Sequence, residues 1–175
     1  MKTVLWFTGL SGAGKTTIAE LLKDRLEERG KRVAVLDGDT VRDTLHRELG
    51  FTPEDIRENN RLIACRAKGR LEDADVILVP IISPFRDSRA DARAVIGEPF
   101  VELFVHAPLD VVKARDTKGL YAKAGRGELE NLIGVHASVP YEAPARPEIE
   151  IRTDGAGAEE SVDRILRYLE TTGRV

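Results

Sequence analysis

A glycine-rich stretch near the start of the sequence has the residue types needed to hold phosphate groups. Residues 9–16 read Gly-Leu-Ser-Gly-Ala-Gly-Lys-Thr and match G-x-x-x-x-G-K-[ST] in full. In such a loop, backbone N–H groups surround a phosphate, Lys15 reaches the terminal phosphates and the Thr16 hydroxyl ligates magnesium. The loop lies between an apolar run and an amphipathic stretch, which is the context that the motif requires. We expect ATP and Mg²⁺ at a site formed by Gly9, Ser11, Gly12, Ala13, Gly14, Lys15, Thr16 and Thr17.

Two aspartates follow the second apolar run of the chain. Asp37 comes directly after Val33 to Leu36, and Asp39 and Arg42 follow it closely. Carboxyl ends of parallel strands face the ligand crevice, so one carboxylate is placed to hold magnesium while the other takes the proton of an attacking hydroxyl. Arg42 would then bind an anionic acceptor. Turn formation, with Asp39 capping the next helix, is the alternative interpretation.

The third apolar run, Val76 to Ile82, ends without an acidic residue. Many ATPases place a magnesium-binding carboxylate there, so in this chain that group would come from Asp37 or Asp39. This difference favours small-molecule kinases over motor ATPases.

A stretch rich in basic residues and glycine lies further along the chain. Arg115, Lys118, Lys123 and Arg126 are spaced by glycines up to Gly127. We interpret residues 115–140 as a mobile basic lid that closes over the transferring phosphates, with Arg115 on the nucleotide. A solvated basic loop is the alternative.

The elements that must position these residues alternate between short apolar runs and stretches of helical period, which predicts an α/β fold. Continuous apolar runs favour parallel strands covered on both faces, and hence a three-layer α/β/α sandwich in one domain, 1–175. Trp6 is expected in the core. Predicted strands span 4–8, 33–37, 76–82, 101–106 and 148–151. Predicted helices span 15–29, about 40–49, 53–71, 86–95, a short one from 108, and 159–169.

The composition excludes several other classes of protein. The chain has 175 residues, a net charge of −3 and one cysteine, so it offers neither a global basic field for nucleic acid nor a disulfide. We find no Cys and His cluster with metal-ligand spacing and no apolar run of the ~20 residues that a membrane span needs. We expect a cytoplasmic protein whose partner is a small-molecule nucleotide.

Seven motifs, in order along nearly the whole chain, resemble those of the adenylyl-sulfate (APS) kinase family. They are residues 9–16, Leu36 to Arg42 (L-D-G-D-x-[VI]-R), Leu49 to Phe51 (L-G-F), Glu58 to Arg61 (E-N-x-R), Ile82 to Arg86 (I-S-P-[FY]-R), Arg115 to Tyr121 (R-D-x-K-G-L-Y) and Pro140 to Pro144 (P-Y-E-x-P). The resemblance implies a P-loop kinase that phosphorylates the 3′-hydroxyl of adenylyl sulfate. Since members of this family often form homodimers, it also implies a possible homodimer.

The resemblance also implies roles for single residues. Asp39 would be the base or a metal ligand, with Asp37 beside it, and Phe51 would stack on the base of the acceptor. Ser83 stands at the family's candidate phosphoserine, although direct transfer from ATP needs no such intermediate. The implied acceptor pocket contains Asp39, Arg42, Phe51, Asn59, Arg61, Ile82, Ser83 and Lys118.

The chain departs from the family pattern mainly in this pocket. Where the family has D-R-x-E-N, Asp55 is followed by Ile56, and Arg57 comes one place later. Leu132 replaces an aromatic residue that would stack on the acceptor. The segment 136–140 is about two residues longer than in the family, and Ser88 stands at a family aspartate.

Two interpretations of these changes stay open. Arg57, Arg86 and Phe51 compensate and leave an APS kinase, or the site has been retuned toward another acceptor, such as a cytidine diphosphate derivative. From a different class, a regulatory P-loop protein that only binds or hydrolyses nucleotide is a third possibility.

Overall fold

The computed structural model describes residues 1–38 and 49–175. The predicted helix around 40–49, and with it Asp39 and Arg42, lies outside the described residues except for Leu49. In chain order the described elements are β1 (Thr3–Thr8), α1 (Lys15–Glu28), β2 (Val33–Val35), α2 (Pro53–Arg70), β3 (Val76–Val79), α3 (Arg86–Ile96), β4 (Phe100–His106), α4 (Leu109–Arg115), α5 (Leu120–Gly125), β5 (Ile149–Arg152) and α6 (Ala158–Thr171).

The strands form a five-stranded sheet in the order β2-β3-β1-β4-β5, and each neighbouring pair is parallel. β1 is central, with Leu5 opposite Leu78 of β3 on one side and Val101 of β4 on the other. The strands β3 and β2 therefore lie on one side of β1, and β4 and β5 lie on the other. Such a reversal of strand order opens a crevice at the carboxyl ends of the central strands, where ligands bind.

Both faces of the sheet are covered, which confirms the predicted three layers. Alternate residues of β1 point to opposite faces because the side-chain period of a strand is two. Leu5 and Phe7 pack against α1 and α6, whereas Val4 and Trp6 pack against α2 and α3. Trp6 is fully buried, so its predicted place in the core is also confirmed.

The helix α2 begins with a capping arrangement that fixes its position beside the crevice. The Thr52 hydroxyl accepts a hydrogen bond from the Asp55 N–H, the Asp55 carboxylate accepts one from the Thr52 N–H, and Pro53 occupies the first turn. Such reciprocal caps and a proline at this position define the start of a helix. Helical periodicity then carries Ile56 and Asn59, three residues apart, along one face.

The predicted elements that fall within the described residues are confirmed with small changes at their ends. β2 ends at Val35 and β3 at Val79, both earlier than predicted. The predicted basic lid contains an unpredicted short helix, α5. Gly119 precedes α5 in the left-handed region, and the Asp116 carboxylate accepts hydrogen bonds from N–H groups of its first turn.

Candidate active site

The phosphate-binding loop joins β1 to α1 with a backbone that favours glycine at three points. Gly9, Gly12 and Gly14 have φ angles of 150°, 79° and 100°, which other residues rarely adopt. Gly9 is also confined, since a Cβ atom there would lie 2.3 Å from the carbonyl oxygen of Val105. Gly14 caps the N-terminus of α1, the helix end that attracts anions.

Lys15 folds back onto its own loop. Its Nζ donates hydrogen bonds to the carbonyl oxygens of Gly9 and Leu10, at 2.8 Å each. The side chain is 8% exposed and borders the cleft beside the loop. The ammonium group therefore lies inside the curve of the loop, where a phosphate would bind.

The next three carbonyl oxygens of the loop, those of residues 11–13, also accept hydrogen bonds from side chains. Tyr121 donates to the first at 2.7 Å, Arg115 to the second at 3.4 Å and Thr153 to the third at 2.8 Å. Arg115 additionally donates to Thr153 Oγ1 at 3.0 Å. Five successive carbonyl oxygens are thus engaged, which reduces the negative partial charge that would repel an anion.

A cleft of ≈ 510 Å³ lies beside this loop, within the size range of small-ligand sites. Its lining comprises Ser11 to Ile18, Asp37, Gly38, Phe51, Ile56, Asn59, Asn60, Pro80 to Pro84, Arg115, Thr117, Lys118, Ile133, Thr153, Ala156 and Ala158. Every residue of the predicted nucleotide site except Gly9 therefore borders one cleft. Gly9 lies at the base of the loop against β4.

Asp37 lines this cleft just after β2. The chain passes closely over the end of β3 at the next residue, because a Cβ atom at Gly38 would lie 2.8 Å from Cγ2 of Ile81. This close passage holds the Asp37 backbone at the rim of the sheet. Asp39 and Arg42 are outside the described residues, so their predicted roles stay predictions.

Ser83 is held by four hydrogen-bond donors on the floor of the cleft. Its hydroxyl oxygen accepts from Trp6 Nε1 at 3.0 Å and from Asn60 Nδ2 at 3.1 Å. Its carbonyl oxygen accepts from Thr8 Oγ1 at 3.0 Å and from Arg89 Nη1 at 2.7 Å. Ser83 is 2% exposed and has a φ of 44°, a conformation that a side-chain-bearing residue keeps only when its surroundings enforce it.

Arg89 connects the Ser83 loop to two other segments. It is 3% exposed and pairs with Glu102 of β4 at 2.7 Å, and its third bond goes to the carbonyl oxygen of Glu142 at 2.7 Å. The Glu142 N–H donates in turn to the carbonyl oxygen of Pro84 at 2.9 Å. Each of the three guanidinium nitrogens of Arg89 therefore donates a hydrogen bond, as a buried charge requires.

Tyr141 packs behind the Ser83 loop, against Thr8 and Phe104. Its hydroxyl lies 2.9 Å from Thr8 Oγ1. Since Thr8 donates its single proton to the carbonyl oxygens of Ile82 and Ser83, Tyr141 is the donor to Thr8. Burial raises the pKa of Tyr141 to about 12.

Most of the predicted acceptor residues that the structure describes also border the cleft: Phe51, Asn59, Ile82, Ser83 and Lys118. Phe51 is 55% exposed, an unusual state for a large apolar ring. An accessible aromatic face there is suited to stacking on a nucleobase. The stacking itself stays a prediction.

Arg57 and Arg61 do not line the cleft, contrary to the acceptor-site prediction. Arg57 donates to Asp87 at 3.0 Å, and its guanidinium lies 4.3 Å from the centroid of the Phe85 ring. Arg61 pairs with Glu58 on the exposed side of α2. The reason is helical period: Ile56, Asn59 and Asn60 share the inward side of α2, and Arg57 and Arg61 fall outside it.

Leu132 is not in the cleft lining either. Its side chain is 6% exposed and belongs to the core on the α1 side of the sheet, and Ile133 lines the cleft in its place. The change from an aromatic residue to leucine at position 132 therefore alters the packing of the core and not the lining of the cleft. The apolar side chain nearest the acceptor at this point is that of Ile133.

Two of the departures from the family pattern meet in one small apolar cluster. Ile56, Phe85 and Val139 are buried together, with Ile133 packed against them. Ile56 stands where the family has arginine, and Val139 lies in the lengthened segment. Val139 therefore helps to bury Ile56 of α2.

The site also contains residues that were not predicted, among them Asn60, Arg89 and Thr153. Asn60 lies four residues after Ile56, so the helical period of α2 could have predicted that both residues face the cleft. Arg89 lies one turn beyond the I-S-P-F-R motif, on the inner face of α3. Thr153 had no sequence signal, because its contact with the loop joins residues 140 positions apart.

Comparison with known proteins agrees with this arrangement. The adenylylsulphate kinase family profile matches residues 1–152. An adenylyl-sulfate kinase of Paraburkholderia xenovorans is 49% identical over 172 residues, covering 98% of this chain and 95% of that protein. One from Halothermothrix orenii is 49% identical over 171 residues, covering 98% and 91%.

A solved structure has nearly the same fold. The Mycobacterium tuberculosis APS kinase, in complex with AMPPNP and APS, superimposes with a TM-score of 0.91 at 38% identity, covering 97% of this chain and 98% of that one. A gluconokinase from Sinorhizobium meliloti shares the fold at 15% identity, with a TM-score of 0.64 over 98% of this chain and 93% of its own. The chain belongs to the adenylylsulphate kinase family.

Proposed function

We propose that this protein transfers the γ-phosphoryl group of ATP to the 3′-hydroxyl of adenylyl sulfate, giving ADP and 3′-phosphoadenylyl sulfate for sulfate assimilation. The observation that carries the proposal is a single cleft in which a complete phosphate-binding loop lies beside Phe51, Asn59, Ser83 and Lys118. Membership of the adenylylsulphate kinase family supports it. Phosphoryl transfer needs donor and acceptor to be positioned together, and one continuous cleft supplies that.

On the donor side, the loop and the start of α1 bind the phosphates of ATP. The N–H groups of residues 12–17 surround them, and Lys15 leaves its carbonyl partners to reach the β- and γ-phosphates. Arg115 borders the cleft next to Thr153 and is placed to contact the nucleotide. Tyr121, Arg115 and Thr153 keep the loop in shape while Lys15 moves.

Magnesium is expected with the ATP, and the described residues fit it. The Thr16 hydroxyl and the Asp37 carboxylate both line the cleft. No group of three or more His, Cys, Asp and Glu residues that could hold a metal occurs in residues 1–38 and 49–175. Mg²⁺ needs no such cage, since it keeps several waters and takes one or two carboxylates together with phosphates. When bound, it supplies neutralisation of the phosphate charge.

On the acceptor side, the nucleobase of adenylyl sulfate stacks on Phe51, and Asn59 and Lys118 bind its polar groups. Asp39 takes the proton of the attacking hydroxyl, with Arg42 on the acceptor's charge, and Asp37 remains with the metal. The segment 115–140 acts as a basic lid that closes over both substrates and excludes water. Lys118 reaches the cleft from the lid.

The experiment is an ADP-release assay with purified protein, ATP, Mg²⁺ and adenylyl sulfate, combined with identification of the product. We expect one ADP for each 3′-phosphoadenylyl sulfate. Lys15→Ala should abolish turnover, and Asp39→Asn should lose turnover while keeping most of its ATP affinity. ADP release no faster than background at saturating adenylyl sulfate would overturn the proposal, and a fully active Asp39→Asn variant would overturn the assignment of the base.

A panel of other acceptors tests the apolar change at the site. Ile56, which stands where the family pattern has arginine, lines the cleft together with Ile133, so a cytidine diphosphate derivative belongs in the panel. Higher kcat/KM for such a compound than for adenylyl sulfate would reassign the acceptor. ADP release at the same rate with and without every acceptor would indicate a nucleotide-hydrolysing regulator instead.

Assembly and location stay predictions. We propose a homodimer, to be tested by light scattering, and a cytoplasmic location without nucleic-acid partners. Within residues 1–38 and 49–175, no helix combines the length and the apolar character that crossing a membrane requires.

A further inference from the structure

Asn60 has one end of its amide in use and the other end open. The side chain is 3% exposed, and its Nδ2 donates to the Ser83 hydroxyl at 3.1 Å. No group within residues 1–38 and 49–175 donates to its Oδ1. In those residues, the fully enclosed side-chain polar atom that lacks a partner is His106 Nδ1, so Asn60 Oδ1 must reach open space. The space that Asn60 borders is the cleft.

The chemistry of this oxygen limits what it can bind. An amide oxygen accepts hydrogen bonds and cannot donate them. The phosphate and sulfate oxygens of a nucleotide are also acceptors at neutral pH, so Asn60 Oδ1 would repel them. Its partner must be an N–H or O–H group, and adenylyl sulfate carries such groups only on its nucleoside part. The 3′-hydroxyl already has Asp39 as its proposed partner, which leaves the 6-amino group of the base and the 2′-hydroxyl of the ribose.

The wall of the cleft that α2 forms is uncharged, which suits a nucleoside. The residues of α2 in this wall are Ile56, Asn59 and Asn60. The basic side chains that line the cleft come from other parts of the chain, namely Lys15, Arg115 and Lys118. A ligand with an anionic end and an uncharged end would therefore place its phosphate and sulfate groups near the basic residues and its nucleoside against α2.

We propose that Asn60 is a specificity-determining residue, whose Oδ1 accepts a hydrogen bond from an N–H or O–H group of the acceptor's nucleoside. The inference rests on the proposed function and adds a residue to it. Position 60 is the unspecified one in the E-N-x-R motif, so the family pattern gives it no role. The bond from Nδ2 to Ser83 holds the amide in place. A fixed acceptor discriminates between ligands, because a compound without the matching donor leaves it unpaired.

The experiment compares the binding of three acceptors by calorimetry. They are adenylyl sulfate, purine riboside 5′-phosphosulfate, which lacks the 6-amino group, and 2′-deoxyadenosine 5′-phosphosulfate. ADP and Mg²⁺ are present in place of ATP and Mg²⁺, so that no phosphoryl group can be transferred. We expect wild-type protein to bind at least one of the two analogues about ten- to a hundredfold more weakly than adenylyl sulfate.

Asn60→Leu shows whether Asn60 causes this difference, since leucine keeps the branching of the side chain and removes Oδ1. The variant should bind adenylyl sulfate about ten- to a hundredfold more weakly than wild type. It should bind the analogue that lacks the matching donor as tightly as wild type does, because two groups in contact do not contribute additively. That analogue identifies the bound group as the amine or the hydroxyl. Arg66→Leu, on the exposed side of α2, is the matched control and should leave every Kd unchanged.

A role for Asn60 that only supports Ser83 predicts a different result. Asn60→Leu would then weaken the binding of all three acceptors by the same factor, which would overturn the inference. Wild-type protein that binds all three equally would overturn it as well, and that measurement needs no variant. The ADP-release assay tests the proposed function separately. Selective binding of adenylyl sulfate without turnover would refute the proposed function and leave the assignment of Asn60 standing, whereas turnover without selectivity would do the reverse.

Discussion

The phenol of Tyr121 donates a 2.7 Å hydrogen bond to the carbonyl oxygen of Ser11. The bond joins the short helix α5 to the phosphate-binding loop, so the segment that we propose as a lid is anchored on the loop that it would cover. The Tyr121 side chain is 8% exposed and packs into the core beside α1. The movable part of the lid must therefore begin after Tyr121.

Replacing Tyr121 by phenylalanine tests this anchor. Phenylalanine fills the same space but leaves the Ser11 carbonyl oxygen without its donor, so the loop loses one of its five side-chain bonds. We expect KM for ATP to rise by about three- to tenfold, with a smaller change in KM for adenylyl sulfate. Tyr168→Phe on α6 is the matched control and should change neither value. Equal effects from both substitutions would show that the Tyr121 bond does not act on the loop.

Gly134 offers a second test of how the lid segment meets the loop. Its φ is 79°, and a Cβ atom there would lie 2.5 Å from Cδ2 of Leu10 and 3.3 Å from Cβ of Tyr141. Gly134→Ala therefore combines backbone strain with a steric clash against Leu10 of the phosphate-binding loop. We expect it to lower the free energy of unfolding and to raise KM for ATP.

Gly119→Ala isolates the strain. Gly119 is in the left-handed conformation, with a φ of 67° and a ψ of 14°, but nothing lies within 4 Å of its added Cβ, so alanine there costs only the ~1–2 kcal/mol of that conformation. Urea unfolding should show Gly134→Ala to be less stable than Gly119→Ala by roughly a further 1–3 kcal/mol. Equal losses at the two positions would mean that Leu10 moves aside freely.

Much of the site could be predicted because local patterns determine it. The loop motif sets Gly9 to Thr16 between a strand and a helix, and the Thr52 cap with the helical period of α2 places Asn59 in the cleft. These features involve residues that are close in the chain. Their geometry follows from backbone preferences that the sequence displays directly.

The rest depends on contacts between distant parts of the chain. Thr153 reaches Ala13, and Arg89 joins Ser83 to Glu142, only after the sheet has formed. Leu132 was misplaced for a different reason. The segment around it lies outside any long helix or strand, so no period indicates that residue 132 faces the core while residue 133 faces the cleft.

Arg57→Ala tests whether the neighbouring arginine replaces the family's missing one. Because Arg57 pairs with Asp87 and lies over Phe85 outside the cleft lining, we expect KM for adenylyl sulfate to change by less than about twofold. The unfolding free energy should fall by about 0.5–1.5 kcal/mol through loss of the ion pair and the cation–π contact. A tenfold rise in KM would show that Arg57 turns into the cleft when the acceptor binds.

Ile56→Ala provides the contrast on the same helix. Ile56 is 4% exposed and packs with Phe85 and Val139, so its truncation should cost about 2–4 kcal/mol in unfolding free energy. It also lines the cleft, and KM for adenylyl sulfate should rise. Arg61→Ala, which removes a surface pair with Glu58, is the control for a general effect of altering α2 and should leave both quantities nearly unchanged.

Alkaline pH should destabilise the protein through Tyr121 and Tyr141. Burial raises the pKa of each phenol from 10.0 to about 12, so each holds its proton more tightly in the folded state than in the unfolded one. Their contribution is complete below pH 10 and is lost as the pH rises through 12. The unfolding free energy should therefore fall across this window, by on the order of 1–3 kcal/mol for each tyrosine.

Urea unfolding at a series of pH values measures how steeply the unfolding free energy falls with pH. The Tyr121→Phe and Tyr141→Phe variants separate the contribution of each tyrosine from that of the lysines, which titrate in the same range. Each variant should show a shallower fall between pH 10 and 12 than wild type, because the phenylalanine has no proton to lose. Tyr168→Phe should reproduce the wild-type slope. If Tyr141→Phe also kept the wild-type slope, the Tyr141 phenol would ionise as readily in the folded protein as in the unfolded chain, and its donation to Thr8 would not depend on burial.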